Sequence, residues 1–199
     1  NVTLSAESAY VVLPVLKEET VNLTVNFIPG GGATEDNLVG EPVIEPSTIT
    51  VAGAEEDIAD LTEISLGSID LATVGGSGEI QVTMTIDLDS RLVNVSGVTT
   101  ATVTFSLEGL ETRTFQTENI TTSELEGYHA SVVTQVLSVQ IRGKTEDLDL
   151  IDSSQIRVVA DLSEITSTGT FPVPARVYLD AAGTAGVIGT YTVMVNVSR

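Results

Sequence analysis

Two basic side chains flank a glycine in the second half of the chain and could recognise a partner. Arg142 and Lys144 lie on either side of Gly143, whereas alanines flank Gly53, the corresponding glycine of the first half. The net charge is −20, from 8 basic and 28 acidic residues, so two neighbouring cations stand out. We therefore interpret Arg142, Gly143 and Lys144 as a candidate recognition corner. For the two glycines themselves we predict a structural role, since a strand that turns into a helix often needs a glycine backbone, and a recognition patch formed by the adjoining loop is the alternative.

Residues of catalytic type do not occur at catalytic spacings. His129, the only histidine, follows a glycine and a tyrosine without an evident partner that would make it a general base, so we expect a loop residue. Residues 75–78 lack the Gly-x-Ser-x-Gly spacing of a nucleophile elbow and are typical of a turn. Residues 30–32 lack the Lys-Ser/Thr of a phosphate-binding loop and favour a flexible connection. The sequence thus predicts no catalytic residue, no cofactor and no enzyme activity.

Three carboxylates follow the candidate corner at close spacing, namely Asp147, Asp149 and Asp152. Calcium prefers such oxygen ligands, but the loop glycine and the distant bidentate glutamate of an EF-hand are absent. Because the chain has no cysteine, zinc-thiolate sites, disulfides and thiol nucleophiles are excluded. We expect the aspartates to begin a solvated helical turn, and we predict no metal site.

The corner belongs to an internal repeat. Residues 49–58 and residues 139–148 each contain an alternating strand, a glycine, an acidic segment and an apolar residue, and the two glycines are 90 residues apart. A fixed offset is typical of a duplicated structural unit. We predict two domains, residues 1–109 with an N-terminal linker or edge segment and residues 110–199.

The elements that position these corners are mostly strands. The chain is rich in valine, isoleucine and threonine, whose branched side chains favour strands. Residues 21–27 and 80–88 alternate cleanly, and residues 171–179 repeat the second pattern. After each central glycine, acidic residues and apolar residues three apart indicate one or two helical turns. The fold class predicted is all-β, with two tandem β domains and a short helical turn in each.

The acidic surface excludes one class of partner. A net charge of −20 repels phosphate backbones, so we predict no nucleic-acid partner. The apolar run at residues 9–16 is short and contains a proline, well below the roughly 18 residues of a membrane span. We expect any membrane contact to come only from an anchor upstream of residue 1.

Three stretches of the first repeat resemble a YbbR-like domain: residues 38–53, with the sequence Leu-Val-Gly-Glu-Pro-Val-Ile-Glu-Pro-Ser-Thr-Ile-Thr-Val-Ala-Gly, the acidic turn, and residues 69–71, Ile-Asp-Leu. The second repeat is similar to the same family at residues 139–143, 159–162 and 169–173. The resemblance covers roughly residues 15–198 as two tandem units. Its motifs are glycine, proline and strand patterns, so it indicates a fold more than a chemistry.

That resemblance implies a mostly-β, non-catalytic domain pair outside the bacterial membrane, often behind one transmembrane helix. It also implies regulation of a membrane diadenylate cyclase, and so of cyclic-di-AMP and cell-wall homeostasis. We therefore expect an extracytoplasmic, membrane-anchored regulatory module with a protein partner. A cell-surface stalk or adhesin-like binding module is the alternative, based on the tandem β units and the excess of threonine.

Overall fold

A computed structural model of the chain describes residues 15–75, 78–124, 126–181 and 183–199. The linker or edge segment predicted for residues 1–14 lies outside the described residues, as do residues 76–77 of the turn predicted at 75–78. No helix in the described ranges is long and apolar enough to cross a bilayer.

Strands make up most of the described chain, which confirms the all-β prediction. The helical turns predicted after the two central glycines are also confirmed, as α1 (Glu55–Ile58) and α2 (Thr145–Leu148). Two short 3-10 helices cover Glu35–Asn37 and Ser153–Gln155. The strands are β1 (Lys17–Ile28), β2 (Val43–Glu45), β3 (Thr48–Gly53), β4 (Glu63–Asp70), β5 (Gly78–Thr85), β6 (Val93–Asn94), β7 (Thr100–Leu107), β8 (Glu111–Thr117), β9 (Ile120–Thr122), β10 (His129–Val132), β11 (Leu137–Gly143), β12 (Ile156–Ala160), β13 (Gly169–Leu179), β14 (Gly186–Ile188) and β15 (Tyr191–Ser198).

The chain forms two compact units that do not follow the order of the sequence. One unit consists of the described residues up to Thr24 with Ile44–Leu66 and Thr83–Thr102. The other consists of Val25–Val43, Gly67–Val82 and Val103–Arg199. The second unit therefore combines segments of the first repeat with the whole second repeat. The domain limits 1–109 and 110–199 stay a prediction.

In the first unit, the predicted alternation of β1 positions a glycine corner at its end. Val21 and Leu23 are buried while the residue between them is exposed, as the pattern predicted. β1 pairs antiparallel with β3, and Lys17 lies opposite Gly53. β3 also pairs with β6, in a sheet of order β4-β1-β3-β6. The corner at Gly53 is thus the end of a central strand.

In the second unit, β11 occupies the corresponding place. It pairs antiparallel with β8, with Glu111 opposite Gly143, and with β14, with Gly186 opposite Arg142. A five-stranded sheet of order β10-β15-β13-β12-β9 packs its own apolar cluster, which includes Val158, Val173 and Val195. A second cluster joins Val139, Ile141, Leu148 and Ile156 behind β11. Of these residues, Val139, Ile141 and Val173 lie on the inward faces that the alternation predicted.

Two local predictions are wrong. His129 is not a loop residue, because it begins β10 and pairs with Ser198 of β15. Residues 30–32 are not a flexible connection, because Gly30 and Ala33 exchange backbone hydrogen bonds of 3.0 and 3.1 Å. Gly31 and Gly32, between them, have φ values of 55° and 73°. Two central residues with positive φ are typical of a tight type I′ turn, and glycine adopts them without strain.

Candidate functional site

The candidate corner lies where β11 ends and α2 begins. Along β11 the inward side chains Val139 and Ile141 are fully buried, so the strand is held by the apolar cluster behind it. Lys144 continues the extended backbone for one residue, with φ −68° and ψ 148°, and α2 then starts with acidic residues in its first turn. Negative charge is favoured at a helix start, which explains why the acidic segment turns there. The three corner residues are thereby placed in very different surroundings.

Arg142 points into the protein and is 1% exposed. Its guanidinium group donates four hydrogen bonds, and every acceptor is a backbone carbonyl oxygen. Nε donates to Gly31 at 2.9 Å and Nη1 to Val74 at 3.0 Å. Nη2 donates to Leu71 at 2.6 Å and to Gly30 at 3.2 Å. The side chain that looked most available for recognition is thus already engaged.

The charge of Arg142 is compensated by the dipoles of the four backbone carbonyl groups that it binds. Burial lowers the pKa of Arg142 below its ordinary value. A guanidinium nevertheless stays protonated in proteins. A buried cation is tolerated when its donors are bonded, and four carbonyl oxygens bind four of the five N–H donors here. Direct recognition of a partner by Arg142 would require breaking these bonds, so its predicted recognition role has no support in the geometry.

Gly143 is buried beside β14, and its need for glycine has a different cause from the one expected. Its φ is not positive, so the backbone does not itself require glycine. A β-carbon at this position would instead lie 2.7 Å from the Ala185 β-carbon. The equivalent Gly53 would meet Ile58 and Leu92 side-chain atoms, each at 3.0 Å. Close packing thus explains why glycine occupies both positions.

Lys144 is exposed, in contrast to its two neighbours. It lines a shallow groove with Thr34, Asp36, Leu110 and Thr184, among others. Of the three predicted corner residues, Lys144 alone presents charge to solvent. Lys144 is therefore the one of the three whose side chain is placed for a direct contact.

The three carboxylates after the corner do not converge on a common point. Asp147 accepts hydrogen bonds from Thr184, Asp149 lies 2.6 Å from Arg113, and Asp152 accepts from the Ser154 amide at 2.9 Å. These hydrogen bonds lower the pKa of Asp147 and that of Asp152 below the ordinary 3.8. Among the residues that the structure describes, no group of three or more His, Cys, Asp or Glu could hold a metal ion.

The first repeat fastens its acidic turn with other residues. Asp57, equivalent to Asp147, lies 2.7 Å from Arg91 Nη1. The partners Arg91 and Thr184 are 34 and 37 residues from their aspartates. No local pattern connects residues so far apart, which is why sequence reasoning did not find them. His129 is exposed on β10 and lines a shallow pocket with Glu124 and Glu126, and its backbone carbonyl oxygen accepts a hydrogen bond from the Ser198 hydroxyl at 3.5 Å.

Comparison with protein families matches the model described as YbbR-like protein to residues 24–107 and again to residues 115–197. The chain belongs to the YbbR-like family. The two matched ranges correspond to the two repeats, so this YbbR-like chain carries two tandem copies of the family's unit. The YbbR resemblance of the sequence is thereby confirmed.

Two solved YbbR-like structures are similar to this chain. One is a YbbR-like domain from Listeria monocytogenes, with 22% identity and a TM-score of 0.35, covering 44% of this chain and 93% of that one. The other is a YbbR-like protein from Streptococcus pneumoniae TIGR4, with 18% identity and a TM-score of 0.31, covering 96% and 98%. No curated protein matches the chain.

Proposed function

We propose that this YbbR-like chain is a non-enzymatic, extracytoplasmic interaction module that regulates a membrane diadenylate cyclase. The observation that carries the proposal is the family match to both repeats. Members of this family are linked to control of such cyclases, and the family is not known for catalysis. The role implied for this chain is modulation of cyclic-di-AMP level through contact with a protein.

The chemistry of the candidate corner supports an interaction role better than a reaction. Arg142 is engaged by carbonyl oxygens, and the aspartates of the acidic turn are each bound to a different partner. These contacts hold the corner in a fixed shape, which suits a binding surface. Lys144, exposed beside a shallow groove, remains available for a contact.

The proposed compartment and anchor come from the family and from composition. The absence of cysteine is compatible with export by a Gram-positive cell. We propose a membrane anchor upstream of residue 1 that places both repeats outside the cytoplasm. A fusion of the full-length protein to a reporter active only outside the cytoplasm tests this, and activity of a cytoplasmic reporter instead would overturn it.

The regulatory role is tested by co-expressing the full-length protein with the diadenylate cyclase of its own organism. We expect the two to co-purify in detergent and the cellular cyclic-di-AMP level to change. The proposal would be contradicted if the two proteins did not co-purify and the cyclic-di-AMP level stayed unchanged. Lys144→Glu is expected to weaken co-purification, while Lys17→Glu serves as the control because Lys17 is also an exposed lysine, 3.6 Å from Glu55.

A stalk or adhesin-like module stays the alternative, supported by the tandem β repeats and the high threonine content. It predicts retention of the purified chain on wall material. Retention on wall material without any effect on the cyclase would favour this second function over the first.

A further inference from the structure

Arg142 connects two parts of the duplicated chain. It belongs to the second family match, whereas its four acceptors, the carbonyl oxygens of Gly30, Gly31, Leu71 and Val74, belong to the first. All of these residues lie in one compact unit. The buried arginine of the second repeat therefore holds two turns of the first repeat.

The geometry requires a guanidinium group. A guanidinium has five N–H donors in a rigid plane, and four separate carbonyl oxygens are bound here. A lysine has three donors on one atom, so it cannot reach acceptors spread around a plane in the same way. Loss of the arginine would remove its donor from the buried bond to the Leu71 carbonyl oxygen and from the partly buried bonds to Gly31 and Val74, which is costly, while the Gly30 oxygen would keep the Ala33 amide.

Other contacts join the same turns to the same repeat. Ile188 is fully buried, and its Cγ2 atom would lie only 2.5 Å from a β-carbon added to Gly31. Gly189 donates its amide hydrogen to the Ala72 carbonyl oxygen at 2.9 Å. The turns thus contact β11 through Arg142, β14 through Ile188, and Gly189, the residue that follows β14.

The first repeat has no counterpart of this arginine. Its equivalent position, 90 residues earlier, is Ala52, which is 5% exposed. A methyl group cannot donate hydrogen bonds. The two repeats therefore differ at this position, and only the second repeat has a side chain there that binds turns of the first repeat.

We propose that Arg142 locks the turns at residues 30–33 and 71–74 onto the second repeat. We expect these two turns to unfold in the same event as β11. They stay folded when the β1–β3 ladder of their own repeat unfolds. The second repeat is accordingly an incomplete domain by itself, and its cooperative unit includes the two turns. The lock is a conformational device that is independent of the proposed cyclase partner.

Native-state hydrogen exchange of the full chain in low urea tests this without any substitution. The amides of Gly30, Ala33 and Thr73 are hydrogen-bonded and report on the turns. We expect them to exchange through the same urea-dependent opening as the amides of β11. Exchange together with the amides of Asn22 and Leu23, which are hydrogen-bonded in the first unit, would overturn the proposal.

Substitution of the arginine gives a second test. Arg142→Met is expected to lower protection of the turn amides by roughly ten- to hundredfold, and Arg142→Lys is expected to restore only part of it. Arg113→Met is the control, because Arg113 is a partly exposed arginine whose bonds go to Glu111 and Asp149. Equal loss of turn protection in both Met variants would contradict the proposal.

A double variant separates the lock from general destabilisation. Gly31→Ala disturbs the turn itself, so it acts on the same contact as Arg142→Met. If both act through one lock, protection of the turn amides in the double variant is no lower than in the worse single variant. Additive losses would show that the arginine and the turn act independently, and the proposal would fail.

Discussion

Asp147 accepts two hydrogen bonds from Thr184, one from the amide nitrogen at 3.1 Å and one from the hydroxyl group at 2.8 Å. Asp57, its equivalent in the first repeat, is bound instead by Arg91 at 2.7 Å. The repeated aspartate therefore fastens the acidic turn to a later loop in both copies, although the partner side chain differs. The acidic turn is part of the architecture of each repeat.

The pairing of Asp147 predicts a dependence of stability on acid. Hydrogen bonds from Thr184 hold the pKa of Asp147 below its ordinary value of 3.8. The folded state then binds fewer protons than the unfolded state, so this contribution is complete above about pH 3.8 and is lost as the pH falls through the folded-state pKa. Asp89, Asp152 and Asp161 have pKa values lowered in the same direction.

Thr184→Val is the variant that isolates this contribution, because it removes the hydroxyl donor and keeps the amide donor. We expect its urea midpoint to fall less steeply than that of the wild type below about pH 3.8, measured by circular dichroism. Thr190→Val, at an exposed threonine nearby, is the control and should follow the wild type. A variant curve parallel to the wild-type curve at every pH would contradict the assignment.

Truncation of two leucines, one at the end of α2 and one just after it, should change the free energy of unfolding by different amounts. Leu148 is 1% exposed and packs in the cluster behind β11, whereas Leu150 is 73% exposed. Leu148→Ala is expected to lower the free energy of unfolding by about 2–5 kcal/mol, because it leaves a cavity. Leu150→Ala should change it by less than about 0.5 kcal/mol. Urea denaturation at neutral pH measures both, and similar losses would mean that the burial of the corner is misassigned.

The tight turn at residues 30–33 offers a matched pair of glycines. Gly31 and Gly40 have φ values of 55° and 69°, but a β-carbon on Gly31 would meet Ile188 while one on Gly40 would meet nothing within 4 Å. Both alanine variants carry the cost of the left-handed backbone, about 1–2 kcal/mol. Gly31→Ala is expected to lose a further 1–3 kcal/mol, roughly, from overpacking. Equal losses of unfolding free energy in the Gly31→Ala and Gly40→Ala variants would show that Ile188 moves aside without cost.

A second matched pair tests the cause proposed for the corner glycine. Neither Gly143 nor Gly75 has a positive φ, and only Gly143 has a neighbour in the way of a β-carbon. Gly143→Ala is expected to destabilise the chain by about 1–3 kcal/mol. Gly75→Ala should be neutral or slightly stabilising, because it restricts the unfolded chain. Thermal unfolding compares the two, and a neutral Gly143→Ala would refute the packing explanation.

Much of the fold follows from local patterns in the sequence. The alternation at residues 21–27 predicted the buried face of β1, since successive side chains in a strand point to opposite faces. The glycine and acidic segment at each corner predicted α1 and α2 for similarly local reasons. Two predictions that failed were also local: residues 30–32 and His129 looked like loop residues because glycine and its neighbours carry no strand pattern.

What the sequence alone determined is therefore the strand class, the duplication with its 90-residue offset, and the family. Only the tertiary structure decided the fate of Arg142 and Lys144, two residues that are alike in charge and adjacent to the same glycine. Arg142 is buried because carbonyl oxygens 68 to 112 residues away surround its donors, whereas Lys144 is exposed to solvent. Acceptors supplied by distant turns leave no trace in the local sequence, because backbone carbonyl groups are the same in every residue.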